Sequence, residues 1–132
     1  MVSIFINPTQ FGPNEDLSTY PRDFERDGKL CRDAGVAIVF APAVREVYPL
    51  QFDTFVEPSE LAEPLCGAFR PEHFRGVATV MCKLFNMAQP DAAFFGQKDF
   101  QQCAVVRRMT IDLNLPIEIV TVPTIREGTV AQ

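Results

Sequence analysis

Residues 76–95, G-V-A-T-V-M-C-K-L-F-N-M-A-Q-P-D-A-A-F-F, read as a helix that hands directly to a strand. Val77, Val80, Met81, Leu84, Phe85 and Ala88 recur at spacings of three and four, which gathers them on one side of a helix. Gln89-Pro90 ends that helix, because proline removes a backbone donor and restricts the residue before it. A-A-F-F at 92–95 has no polar interruption, as a parallel strand covered on both faces would. Downstream, Asp99 can cap a helix running to about Asp112, and residues 117–122 form a further strand before Pro123.

Upstream, V-S-I-F-I at 2–6 and V-A-I-V-F at 36–40 are two more short apolar, β-rich runs, closed by Asn7-Pro8 and Ala41-Pro42. A polar loop follows the first of them to about residue 19. Pro21 then suits the first turn of a helix, with Thr19 or Tyr20 near its cap. That helix carries Phe24, Asp27, Leu30 and Cys31 and stops at Gly35. A helical turn at 44–47, an edge-like strand at 54–57 and a loop holding Arg70, His73 and Arg75 complete the chain. Strands and helices in alternation predict an α/β domain built on a parallel sheet.

The 132 residues suffice for one domain, and 47% apolar against 22% charged residues is an ordinary globular balance. Twelve Lys and Arg against 17 Asp and Glu leave a net charge of −5. Such a surface is poorly suited to neutralising nucleic-acid phosphates. No apolar run reaches the roughly 18 to 20 residues of a membrane span, and the N-terminus lacks the pattern of a signal peptide. A soluble, cytoplasmic domain without nucleic-acid or membrane partners is the expectation. Cys31, Cys66, Cys82 and Cys103 lie far apart, without a C-x-x-C pair and beside a single histidine, His73. They read as structural thiols, with no metal site expected.

In open parallel sheets ligands bind beyond the carboxyl ends of the strands. Two polar segments fall there: N-P-T-Q-F-G at 7–12 and G-Q-K-D at 96–99. In the second, Gly96 lets the backbone turn tightly, Lys98 brings a positive charge, and Asp99 opens a helix whose free N–H groups favour an anion. The same residues also suit an ordinary βα turn with a capping aspartate and a solvated lysine. In the first, the amides of Asn7 and Gln10 could hold a hydroxyl or carboxylate, while Asn-Pro is equally plain loop chemistry. His73, between Arg70 and Arg75, could face a polyphosphate or simply satisfy a backbone carbonyl. Gln101, Gln102, Arg107 and Arg108 read mostly as a solvated face, unless Gln102 points back toward the cleft. From residue types and spacing alone, the chain is an α/β protein for a small anionic ligand.

The wording and order of the segments go further. V-S-I-F-I-N-P-T-Q-F-G-P-N-E-D-L at 2–17, Y-P-R at 20–22, V-F-A-P at 39–42, R-P-E-H-F-R-G-V-A-T-V at 70–80, K-L-F-N at 83–86 and F-F-G-Q-K-D-F-Q-Q at 94–102 closely resemble the pantoate–β-alanine ligase (pantothenate synthetase) family. The resemblance covers residues 2 to about 126. It implies a Rossmann-like nucleotidyltransferase core and a two-step reaction. ATP and pantoate give pantoyl-adenylate and pyrophosphate, and β-alanine then displaces AMP to form pantothenate. Magnesium accompanies the triphosphate, and the family is commonly homodimeric.

Carried over by resemblance, Gln10 would bind pantoate and lie near β-alanine, with Asn7 on the pantoate side and Gln102 on the opposite wall. Gly96, Gln97, Lys98 and Asp99 would bind ATP, with Lys98 as the catalytic cation on the phosphates, and Ile125 would contact the adenine end. His73 and Lys83 match positions near the rim. Gln97 stands where the family usually has glutamate. The family's H-x-G-H motif belongs upstream of Met1, and its S-S-R-N segment belongs beyond R-E-G-T-V-A-Q. The resemblance therefore implies that residues 1–122 are a partial ATP- and pantoate-binding core, lacking the first strand–helix unit. Residues 123–132 would begin the connection to an absent C-terminal lid domain. A non-catalytic nucleotide- and pantoate-binding or assembly module, degenerate or needing a complementing fragment, is the alternative expectation.

Overall fold

The central element is a helix from Pro71 to Ala88, whose side chains enter both buried clusters of the described residues. The computed structural model describes residues 1–8, 24–59, 71–97 and 100–123. In chain order these form β1 (Val2–Ser3), α1 (Phe24–Asp33), β2 (Val39–Phe40), α2 (Val44–Val47), α3 (Pro71–Ala88), β3 (Ala92–Gly96), α4 (Phe100–Asp112) and β4 (Glu118–Val122).

All strand pairing among the described residues is parallel, but it forms two separate two-stranded sheets rather than one sheet. β1 pairs with β2, Val2 opposite Val39 and Ser3 opposite Phe40. One further bond, from Ile4 N–H to the Phe40 carbonyl at 2.9 Å, carries the ladder towards residue 6. β3 pairs with β4 over five residues, from Ala92 opposite Glu118 to Gly96 opposite Val122.

Helix α3 joins the two halves through its side chains. Phe74, Val77, Ala78 and Phe85 pack with Val105, Val106 and Met109 of α4, against Ala93, Phe95 and Ile119 of the second sheet. Val80 and Leu84 pack with Val47 and Tyr48, against Phe5 and Phe40 from the first. Met81 touches both clusters. The three-and-four spacing of residues 77–88 thus buries a broad apolar stripe, broad enough to serve two sheets.

The helix ends follow local rules. Gly35 adopts φ +81°, and the N–H groups of Gly35 and Val36 return to the carbonyls of Arg32 and Cys31. That pair of bonds closes α1 in a Schellman motif, which needs a left-handed residue and so favours glycine. Asn114 at φ +58° does the same for α4, with Asn114 N–H to Ile111 and Leu115 N–H to Thr110.

Three expectations are corrected. Residues 54–57 are not a strand, because the backbone of Val56 bonds to the Thr79 side chain on α3 instead of to a neighbouring strand. α3 begins at Pro71 rather than near Gly76, so His73 and Arg75 are helical and not in a loop. Pro71 fits the first helical position, where its missing N–H costs nothing, and Glu72 favours the same helix end. The strands are also not covered on both faces. Phe94 is 67% exposed, alternating with Ala93 and Phe95, which face the core. α1 buries no residue, and its Phe24 and Leu30 are exposed. The Pro21 start of α1 lies outside the described residues. So does Cys66; the thiols of Cys31, Cys82 and Cys103 are free, with Cys103 buried.

Candidate ligand-binding site

Two strand ends carry the polar residues expected at the site. Beyond β1, the chain reaches Asn7, whose side chain is buried at 4% exposure. Its Nδ2 donates to the Gly76 carbonyl of α3 at 2.9 Å, and its Oδ1 accepts from the Tyr48 hydroxyl at 2.8 Å. Asn7 therefore ties the carboxyl end of β1 to the N-terminal half of α3 and to the residue that follows α2. At the end of β3, Gly96 is half-buried, and Gln97 just beyond it is exposed.

β3 follows α3 after only residues 89–91, and Ala93 and Phe95 pack against the cluster that α3 and α4 share. Gln102, half-buried, stands in the first turn of α4 just beyond the Gly96 turn.

The two rim residues occupy α3. The half-buried His73 ring meets Phe74 edge-on, with centroids 5.1 Å apart. Lys83 lies nearly three turns further along, its ammonium 5.1 Å from the Phe52 ring centre and 5.9 Å from that of Tyr48. Stacking on those rings gives Lys83 a structural attraction of its own. Arg75 sits over Phe55 at 4.6 Å. Gln10, Lys98, Asp99 and Ile125 lie outside the described residues. Among the described residues no group of three or more His, Cys, Asp or Glu converges.

Tyr48 and Gly76 are the site-adjacent residues the sequence did not single out. The only signal was a phenol before Pro49, beside an otherwise apolar Val47, whose hydroxyl would need a partner if buried.

Parallel βα units with polar residues collected beyond the strand ends make this a Rossmann-like nucleotidyltransferase core. A profile described as pantoate–β-alanine ligase matches residues 1–130, and the chain belongs to that family. It is 79% identical over 127 residues to pantothenate synthetase 1 of Bradyrhizobium diazoefficiens, a match covering 96% of this chain and 45% of that one. It is 63% identical over 128 residues to the pantothenate synthetase of Moorella thermoacetica, covering 97% and 45%. Among solved structures, the pantothenate synthetase of Thermus thermophilus superposes with a TM-score of 0.89 at 55% identity, covering 96% of this chain and 46% of that one. The Francisella tularensis pantoate–β-alanine ligase, complexed with beta-gamma ATP and beta-alanine, gives 0.87 at 36%, covering 96% and 49%. The chain thus spans about half the length of the relatives it matches. No helix of the described residues is long and apolar enough to cross a membrane.

Proposed function

We propose that this chain is the ATP- and pantoate-binding core, residues 1–122, of a cytoplasmic, homodimeric enzyme that condenses pantoate with β-alanine. The family match over residues 1–130 carries this reading, and the similar Francisella structure with its nucleotide and β-alanine supports it. In the first step, a pantoate carboxylate oxygen attacks the α-phosphorus of ATP, the bond to the β-phosphate breaks, and pyrophosphate leaves. In the second, the neutral amine of β-alanine attacks the acyl carbon, AMP leaves with the bonding pair, and the nitrogen loses a proton.

The chain's own residues would position these groups. Gln10 and Gln102 would hold pantoate from two walls, with Asn7 supporting the pantoate side, and Gln10 would also lie near β-alanine. Gly96 would let the backbone approach the nucleotide, with Gln97 beside it; Lys98 would meet charge developing on the phosphates, Asp99 would serve the ribose or the loop, and the Ile125 backbone would contact the adenine end. His73 and Lys83 stand at the rim. Magnesium prefers a few oxygen ligands and substrate phosphates to a protein cage, so it would arrive on the triphosphate.

The test is pantothenate formation by the purified chain with ATP, magnesium, pantoate and β-alanine, run beside titrations of ATP and pantoate. Binding of both ligands, with ATP affinity and any turnover lost in Lys98→Ala, is the expected result. A folded chain that binds neither ligand would overturn the reading. Binding without turnover would favour the second reading, a non-catalytic nucleotide- and pantoate-binding module.

A further inference from the structure

We propose that Tyr48 is a positioning residue for the pantoate side of the site, acting through Asn7; this rests on the reading above, in which the loop after β1 holds pantoate. The geometry is a relay across three segments distant in sequence. The Tyr48 hydroxyl donates to Asn7 Oδ1 at 2.8 Å across 41 residues, and Asn7 Nδ2 donates to the Gly76 carbonyl at 2.9 Å across 69.

The chemistry allows the amide one orientation only. Gly76 O can accept but not donate, so Nδ2 must point at it, and Oδ1 must then face Tyr48. A phenol hydroxyl is a suitable partner because it can donate. A flipped amide would set Oδ1 against the Gly76 carbonyl, two acceptors in a buried place.

Tyr48 is itself held. Its ring packs with Val47, Val80 and Leu84, meets Phe52 edge-on at 4.8 Å and Phe5 at 6.2 Å. The hydroxyl is therefore delivered from a fixed core rather than from a mobile side chain. Asn7 stands three residues before Gln10 in the sequence, so the amide fixes the chain just ahead of the residue that the reading above assigns to pantoate. Tyr48 has no need to touch the ligand to affect it.

Tyr48→Phe keeps the ring and its packing and removes only the hydroxyl. Its test is titration of the full chain with pantoate and, separately, with magnesium–ATP, alongside thermal unfolding. The expected result is pantoate affinity weakened about five-fold or more, the scale of one lost buried hydrogen bond, with ATP affinity within about two-fold. Asn7→Ala should weaken pantoate binding too, and adding Tyr48→Phe to it should weaken binding little further, since the two act as one unit. Should Asn7→Ala fail to fold, the split between the two ligands in Tyr48→Phe decides alone. Unchanged pantoate affinity in Tyr48→Phe would overturn the proposal, as would equal weakening for both ligands, the mark of general destabilisation. A wild-type chain that binds ATP but no pantoate would overturn the reading of the loop, and the proposal with it.

Discussion

The Thr79 hydroxyl is bonded to both polar groups of the Val56 backbone: it accepts from the Val56 N–H at 2.9 Å and donates to the Val56 carbonyl at 3.4 Å. This clasp replaces a strand partner for residues 54–57 and fastens them to α3. Thr79→Val keeps the shape and removes both bonds, leaving a part-buried amide without its partner. It should destabilise the chain by about 1–2 kcal/mol. Urea unfolding checks it, and an unchanged midpoint would show that water serves Val56 equally well.

That segment also marks where sequence reading stopped. Thr54, Phe55 and Val56 have β-favouring side chains, and nothing local says that a threonine 23 residues away will take the backbone bonds. Short-range signals fared better: Gly35 ended α1, Gln89-Pro90 ended α3, and the spacing of residues 77–88 identified the buried stripe. Pro71 suits a first helical position and lies five residues ahead of the Gly76 start that the apolar spacing predicts. Of the candidate site, what was legible is that Asn7 follows β1 and that Gly96 ends β3. The Asn7–Tyr48–Gly76 relay was not, because its partners are chosen by tertiary packing and not by neighbours in the chain.

Val77 is fully buried between α3 and α4. Val77→Ala leaves a cavity where the helices meet and should cost about 2 kcal/mol. Ile111→Ala, on the exposed side of α4, should change stability by less than about 0.5 kcal/mol. Chemical denaturation of the pair gives the comparison. Equal effects would mean that the interior closes around the smaller side chain.

Lys83 offers a sharper separation of structure from function. Its ammonium lies over Phe52 and Tyr48, so Lys83→Met should cost up to about 1 kcal/mol through the lost cation–π attraction. A variant more stable than wild type would show that desolvation outweighs that attraction. ATP titration of the same variant reads its rim role independently.

Arg107 protects β4. Its Nη2 donates to the Thr121 hydroxyl at 3.3 Å and to the Ile119 carbonyl at 3.1 Å, a backbone acceptor that another chain could otherwise pair with. Among the described residues, two sheets present four edges where one four-stranded sheet would present two, and Phe94 adds an exposed apolar ring. The chain should therefore associate with rising concentration, more strongly in Arg107→Ala and less in Phe94→Thr. Sedimentation velocity of the three proteins checks this, and a monomer mass throughout would contradict it.

Because α3 lends side chains to both clusters while the two sheets share no ladder, its backbone amides should be the last to exchange with deuterated solvent. Either sheet can open while the other stays closed, so β1–β2 and β3–β4 should show separate protection levels. Neither can remain closed once α3 detaches. The helix thus sets the ceiling of protection for the whole chain, and the short β1–β2 ladder its floor among the strands.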